Sequence, residues 1–318
     1  MKSSTDHVNS TCSFGFTVVL KKIPSEVFYT SQMSVIIFNS ILLVATAFLN
    51  GLAIVTIFKS SYLMGKPCYF IILLQSTVDL ICSLLAMPLF LVHLVLAIYG
   101  MVNCVVFVMS MFALYFTLGV SNITLLALTW ERYVAILHPL EYGSKVSKRK
   151  LMVGVCFAGV IDCFMKTLFL TKFQHRETVL YNLVKVMIIF VYAIFAYTRI
   201  FLVVKKLARS SITLCSPVDK SKTTRRKLFI QKVKHAKSCL VVVSCFSVLY
   251  TIPSFVHFIF MRHVQAGDLF LIRTWAQTLA FTNSLLNSII FFWSKTMLRE
   301  EALKLLKTIN EKIKLSSL

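Results

Sequence analysis

The segment WERYVAILHPL, residues 130–140, places a Glu-Arg pair directly after a run of 51 residues, 80–130, that contains no Asp, Glu, Lys or Arg. A second apolar run and a proline follow the pair. An apolar stretch of about twenty residues is long enough to cross the hydrocarbon core of a bilayer as a helix. The simplest interpretation is that Arg132 marks the point where such a helix meets water.

Similar apolar stretches occupy most of the chain. Its 318 residues are 58% hydrophobic and 14% charged, whereas about a quarter of the residues of a soluble domain are charged. We therefore predict an all-α membrane protein, a bundle of seven transmembrane helices. The predicted spans cover residues 31–58, 68–95, 102–130, 150–171, 179–204, 237–261 and 269–293.

The placement of positive charge predicts the orientation of these spans. Of the 34 Lys and Arg residues, 25 lie in the connections on one side or after the last span. The positive-inside bias makes that side cytoplasmic and puts the N-terminus outside the plasma membrane. The net charge of +22 then follows from topology, and no nucleic-acid partner is expected.

This topology divides the chain into three parts. They are an extracellular tail (1–30), a seven-helix transmembrane domain (31–293) and a cytoplasmic segment (294–318). On the outer tail, Asn9-Ser10-Thr11 fits a glycosylation acceptor. The last segment reads SKTMLREEALKLLKTINEKIK, with apolar residues on one helical face and Lys and Arg around it. We expect an amphipathic helix on membrane lipids; the alternative is a soluble tail helix.

Six spans carry short motifs in which a polar, charged or proline residue interrupts an apolar run. They are LNG with Asn50, STVDL with Asp79, ERY at 131–133, YTRI with Tyr197, YTIP ending at Pro253, and NSIIF beginning at Asn287. In this order and spacing they resemble the motifs of rhodopsin-like (class A) G-protein-coupled receptors. The resemblance implies a cell-surface receptor that binds an extracellular ligand and activates a heterotrimeric G protein.

The resemblance also implies roles for the residues at the inner end of the third span. Arg132 would reach toward the G protein when the helices separate, and Glu131 would be its resting partner. The other residues implied in coupling are Tyr133, Pro139, Leu140 and Tyr197. The alternative for Arg132 remains a membrane-edge residue without a further role.

Asp79 is a carboxylate in the middle of a span, where it costs about 2.5–3.5 kcal/mol on insertion scales and must face polar partners. Asn283 and Asn287 are four residues apart and share one helix face. Together with Asp79 and Ser121 they match the sodium pocket of the family, so we expect an allosteric sodium ion and no organic cofactor. The alternative is a protonated Asp79 without an ion. Asn50, Pro253 and Asn287 are implied as activation switches.

The ligand pocket is predicted at Leu114, Tyr115, Phe255 and Phe258, in the outer half of the spans. Leu114 occupies the position of the amine-binding Asp of the family, which argues against a biogenic amine ligand. A further group of charges near the fourth and fifth spans would attract an anionic ligand if it lines a site. Its members are Asp162, Lys166, Lys172, Arg176 and Lys185.

Several residues usual in the family are missing. Thr251 replaces a Trp, Ser288 and Phe291 replace a Pro and a Tyr, and Val233 stands where many members have an acid that pairs with Arg132. A short second outer loop without Cys gives a weak similarity to melanocortin-type receptors. These departures leave open an alternative: a receptor-like protein that has lost coupling and acts as a decoy or dimer partner. Near the depth of Asp79 there is neither a second carboxylate nor a His, so no enzymatic activity is expected.

Overall fold

The computed structural model describes residues 9–12, 16–19, 26–101, 103–172, 175–213, 244, 248–249, 255–256, 259 and 266–316. Most of the sixth predicted span and of the long inner connection lie outside these residues. Pro253, Phe258, Val233 and Thr251 are among the residues not described.

The described part is a bundle of helices preceded by a short hairpin. In chain order the elements are β1 (Asn9–Cys12), β2 (Phe16–Val19), α1 (Glu26–Lys59), α2 (Ser61–Gly65), α3 (Pro67–Ile81), α4 (Met87–Ile98), α5 (Cys104–Leu137), α6 (Tyr142–Lys145), α7 (Lys148–Lys172), α8 (His175–Thr213), α9 (Ala266–Ser294) and α10 (Thr296–Ser316).

The helical bundle predicted from the sequence is confirmed. Among the described residues, five stretches are long and apolar enough to cross a membrane, namely Glu26–Lys59, Pro67–Ile98, Cys104–Leu137, Lys148–Leu168 and Leu180–Val203. They coincide with the first five predicted spans. Helix α9 corresponds to the seventh predicted span and packs against α1.

Burial along α1 shows why this is a membrane bundle. Its buried positions recur every three or four residues and include the polar side chains of Gln32, Asn39 and Asn50. Large apolar side chains such as Ile37 and Phe48 are exposed instead. A helix with polar residues inside and apolar residues outside is stable in lipid, where the outer face meets hydrocarbon.

The N-terminal tail adds a short hairpin ahead of the helical bundle. Strands β1 and β2 pair antiparallel, with Asn9 opposite Val19 and Cys12 opposite Phe16. The second strand, FTVV, is rich in β-branched and aromatic residues, which favour strands. The membrane bundle itself is helical as predicted.

The second predicted span is one stretch but not one regular helix. A π-helical turn at Cys82–Ala86 separates α3 from α4. Pro88 follows this turn directly, and a proline inside a helix removes one backbone hydrogen bond and crowds the preceding turn. The wider π turn accommodates the proline. It lies three residues after Asp79, so it helps to set the direction of that side chain.

Helix α5 is the centre of the described bundle, since it packs against α3, α4, α7 and α8. At the inner side, α10 is anchored by Leu298 and Ala302, which are buried. Further along the same helix Leu306, Ile309 and Ile313 are exposed apolar residues at helical spacing. The sequence predicts that this face contacts membrane lipid.

Candidate functional site

At the inner end of α5, Glu131 and Arg132 form an ion pair that is shielded from solvent. Arg132 Nε donates to Glu131 Oε2 at 2.5 Å and its Nη2 donates to Oε1 at 3.0 Å. Glu131 is 1% exposed and Arg132 8%. Neighbouring helical residues do not face each other, so the two long side chains bend at the helix end to meet.

A third residue, which the sequence reasoning missed, completes this pair. The hydroxyl of Tyr142 on α6 donates to Glu131 Oε1 at 2.6 Å. Burial raises the pKa of Tyr142, and the nearby Glu131 carboxylate acts in the same direction. The phenol therefore stays a protonated donor at cellular pH. The short helix α6 follows Pro139 and folds the inner loop back toward α5. This turn of the loop is the feature from which the contact between Tyr142 and Glu131 could have been inferred.

The other residues expected in coupling lie around this pair. Leu140 is 99% exposed and Pro139 is exposed beside it. Tyr133 is partly buried, with its ring centroid 6.0 Å from that of His138. Tyr197 is buried in the core on α8. The inner end of the bundle thus presents an apolar tip next to a buried Arg-Glu pair.

A polar network surrounds Asp79 in the middle of the bundle. Its Oδ2 atom accepts hydrogen bonds from Asn287 Nδ2 at 3.1 Å and from Gln75 Nε2 at 3.0 Å. Gln75 Nε2 also donates to Ser121 Oγ at 2.6 Å, and Thr124 donates to Gln75 Oε1. Asp79, Ser121 and Asn287 are therefore brought together as the sequence suggested. The amide that joins them belongs to Gln75, which was not expected.

The network reaches α1 through Asn50. Ser288 Oγ donates to Asn50 Oδ1 at 2.6 Å, and Asn50 Nδ2 donates to the Thr46 carbonyl at 2.9 Å. Ser288 stands where the family usually has a proline. The hydrogen bond between α1 and α9 is therefore donated by a residue at which this chain differs from the family. Asn50 is not bonded to Asp79 directly, but it lies next to the helix that carries Asn287.

Two further atoms decide whether this site suits a cation. The Oδ1 atoms of Asn283 and Asn287 are buried and accept no hydrogen bond. Hard cations bind carboxylate, amide and hydroxyl oxygens, so the residues present fit sodium. Gln75 Nε2 stands between the oxygens of Asp79 and Ser121. A sodium ion that binds these two oxygens requires the Gln75 side chain to turn away.

A second group of buried charges joins α7 to α5 and α8. Asp162 Oδ2 lies 2.7 Å from Lys166 Nζ, and its Oδ1 lies 2.6 Å from Lys185 Nζ. Lys166 also donates to the Tyr115 carbonyl of α5. Gly119 makes room for the pair, since a Cβ at this position would collide with the Asp162 carboxylate and the Lys166 ammonium. We call Asp162, Lys166 and Lys185 the charge cluster.

The charge cluster contains three of the five residues grouped from the sequence. The side chains of Lys172 and Arg176 lie outside the described residues. Within the cluster each ammonium contacts the one carboxylate, so its first role is to hold helices together. Asp162 and Lys166 are buried between helices and Lys185 is partly buried. An unpaired charge in such a place is costly.

Of the predicted pocket residues, Leu114, Tyr115 and Phe255 are described, and these three do not converge on one open space. Leu114 is buried in the core, and Phe255 is 51% exposed. Tyr115 borders a shallow groove together with Phe112, Phe116, Cys163 and Lys166. The exposure of Phe255 favours contact with lipid rather than with a ligand inside the bundle, and the pocket assignment stays a prediction.

The outer end of α5 is fixed in two ways. The Asn103 side chain accepts hydrogen bonds from the backbone N–H groups of Val105 and Val106 at 3.0 and 3.1 Å, which caps the helix. Cys104 forms a disulfide, whose partner lies outside the described side chains. The thiols of Cys68, Cys82, Cys156 and Cys163 are free.

The fold defines an integral membrane protein, and comparison with known proteins identifies its family. Residues 49–291 match the 7 transmembrane receptor (rhodopsin family). The chain belongs to this family, and the resemblance drawn from its motifs is confirmed.

Individual relatives match over shorter stretches. Human olfactory receptor 51E1 is 26% identical over 134 residues, which are 38% of this chain and 41% of the relative. Human olfactory receptor 10J1 is 32% identical over 118 residues, 35% and 36% of the two chains. The 5-hydroxytryptamine receptor 1 of Drosophila melanogaster is 30% identical over 118 residues, 36% and 20%. The matches thus span about two fifths or less of these relatives, and the weak similarity to melanocortin-type receptors stays a prediction.

Proposed function

We propose that this chain is a plasma-membrane receptor that binds an extracellular ligand and activates a heterotrimeric G protein. The observation that carries the proposal is the buried Glu131–Arg132 pair, held by Tyr142 beside the exposed Leu140. Family membership supports it. The N-terminus is outside and the basic connections face the cytoplasm, as the charge distribution predicts.

In the resting state Glu131 accepts two hydrogen bonds from Arg132, so the guanidinium is not offered to a partner. Arginine carries a planar fork of donors that stays charged at all cellular pH values. When the inner ends of the helices separate, Arg132 leaves Glu131 and donates to backbone carbonyls of the G protein. Tyr142 keeps Glu131 satisfied once Arg132 has left.

The test is energy transfer between the Gα and Gβγ subunits in cells that express the chain, for a panel of G proteins. We expect the signal of one G protein to change without added ligand, because Val233 stands where many members of the family have an acid that pairs with Arg132, and the resting state lacks that interaction. The alternative of lost coupling is supported by Phe291, which is buried and lacks the hydroxyl of the usual Tyr. A signal equal to that of untransfected cells for every G protein would favour the alternative.

We also propose that sodium binds at Asp79, Ser121, Asn283 and Asn287, where it would stabilise the resting receptor. Gln75 competes with the ion, because its amide nitrogen bonds the same two oxygens of Asp79 and Ser121. A hydrogen bond to a charged group contributes about 1.5–3 kcal/mol. The proposal rests on the unpartnered amide oxygens of Asn283 and Asn287.

Replacing Gln75 with leucine is expected to strengthen the dependence of thermal stability on sodium. The concentration for a half-maximal rise in melting temperature should fall by about tenfold or more, since about 1.4 kcal/mol corresponds to tenfold in affinity. The measurement is thermal unfolding of the purified protein in sodium and in choline buffer. Gln75→Leu with Asp79→Asn is the control, and it should show no difference between the buffers. Identical melting in both buffers for wild type and Gln75→Leu would exclude the sodium site.

The proposed topology leads to a prediction about Cys104. Of the cysteines whose side chains are not described, Cys215, Cys239 and Cys245 fall in the inner connection or the inner half of the sixth predicted span. Cys12 lies on β1, on the side of the membrane where α5 begins. Disulfides persist in oxidising compartments, so we expect Cys12 to be joined to Cys104.

Mass spectrometry of unreduced proteolytic fragments checks this pairing and the orientation together. A fragment that links Cys12 to Cys104, and that disappears in Cys12→Ser, is the expected result. A link from Cys104 to a later cysteine would contradict both the pairing and the outside placement of the N-terminus. The glycosylation of Asn9 and the contact of α10 with lipids belong to the same topology and remain proposals.

A further inference from the structure

The outer ends of three helices meet around one cation, Arg273 of α9. Its guanidinium carbon lies 4.8 Å from the ring centroid of Phe107 on α5 and 5.5 Å from that of Phe270. The ring of His93 on α4 lies 5.1 Å from Phe107 and 5.9 Å from Phe270, measured between centroids. Aromatic rings therefore cover part of the guanidinium surface.

Arg273 is paired with no carboxylate among the residues that the structure describes. Its Nε atom is buried and has no hydrogen-bond partner. The same holds for Nε2 of His93, whose side chain is buried. One helical turn beyond Arg273, Gln277 donates to the sulfur of Met111 at 3.1 Å, while its own Oε1 atom accepts nothing.

An unpaired cation inside a bundle calls for a physical reason, because buried charges are normally paired and buried polar atoms normally bonded. The contacts with Phe107 and Phe270 offset part of the cost through the negative faces of the rings. They leave the buried Nε–H of the guanidinium without an acceptor. The charge cluster differs in this respect, since both of its ammonium groups contact Asp162.

We infer that the ligand carries a carboxylate, which Arg273 binds through the N–H edge of its guanidinium. A guanidinium and a carboxylate match as a planar, two-bond pair. His93 Nε2 is the second polar contact, and the rings of Phe107 and Phe270 contact an apolar part of a small organic acid. A cationic amine is excluded by repulsion from Arg273. This inference rests on the proposed receptor function and names its ligand class.

The test uses purified wild-type protein and a series of small acids, from acetate to decanoate together with benzoate, each compared with its primary amide. At saturating concentration we expect at least one carboxylate to raise the melting temperature by about 2–4 °C and its amide to have no effect. The shift should vanish in Arg273→Met and weaken in Arg273→Lys, which keeps the charge but not the fork. Arg149→Gln, an exposed arginine at the inner side, should keep the full shift.

The inference is overturned if no carboxylate exceeds its amide, or if the shift is unchanged in Arg273→Met. Should Arg273→Met fail to fold, an undiminished shift in Arg273→Lys overturns it equally. G-protein activation is measured separately. Activation of a G protein without a melting-temperature shift by any carboxylate contradicts only this inference. A shift by a carboxylate without activation of any G protein contradicts only the proposed function.

Discussion

Replacing Asp162 with alanine is expected to lower the free energy of unfolding by about 3–5 kcal/mol. The Asp162 carboxylate contacts the ammonium groups of Lys166 and Lys185 at 2.7 and 2.6 Å. Without it, Lys166 is left as a buried cation and Lys185, whose side chain is 19% exposed, as a partly buried one. A Cβ at position 119 would collide with the Asp162 carboxylate and the Lys166 ammonium. Because these groups already lie so close to α5, Lys166 has no room to move further toward that helix.

Glu141→Ala is the matched control for this prediction. Glu141 and Lys145 are also an acid and a lysine four residues apart, with 2.5 Å between their charged atoms, but both are about half exposed. An exposed pair contributes about 1 kcal/mol or less. Equilibrium unfolding in mixed SDS micelles measures both variants. Equal and small decreases in the free energy of unfolding for Asp162→Ala and Glu141→Ala would show that the charge cluster does not hold α7 to its neighbours.

Replacing Arg132 with alanine is expected to abolish G-protein activation and to leave folding intact. The proposed topology puts the residue at the cytoplasmic rim, where a cation is tolerated at low cost. Its removal takes two hydrogen bonds from the buried Glu131 carboxylate and leaves the one from Tyr142 at 2.6 Å, a loss of stability that the fold withstands. Arg132→Ala should therefore reach the cell surface at the wild-type level and lose the energy-transfer signal of the G protein.

Arg132→Lys separates the role of the fork from the role of the charge. Lysine keeps the positive charge and the topology but is a single point donor. We expect this variant to lose most of the signal as well, at normal surface expression. Full signalling by Arg132→Lys would reduce Arg132 to a marker of the membrane edge, which is the simplest interpretation of the ERY segment.

The fold could be predicted from sequence because membrane helices are specified locally. Apolar length alone located the five spans that the structure describes as long enough to cross a membrane. Two local features were missed. The π turn at Cys82–Ala86 depends on how the helix relaxes around Pro88, and the hairpin of β1 and β2 depends on pairing between two short segments.

The polar network was predicted in part. Asp79, Ser121 and Asn287 were grouped correctly, because a mid-span carboxylate needs polar neighbours. Gln75 is four residues before Asp79 and so on the same helix face, a signal that was present but not used. Arg273 could have been singled out in the same way, because it is an ionisable residue within a predicted span and such residues need polar partners. Which rings surround it depends on how three helices pack, which sequence spacing does not show.

The central claim is that this chain activates a G protein from its inner face through Arg132. The most direct measurement is nucleotide exchange on purified G proteins by the chain reconstituted in lipid nanodiscs without added ligand. The expected result is faster exchange for at least one G protein with the wild type, and exchange at the rate of empty nanodiscs with Arg132→Ala. Exchange at that basal rate for wild type with every G protein, or equal acceleration by wild type and Arg132→Ala, would contradict the claim.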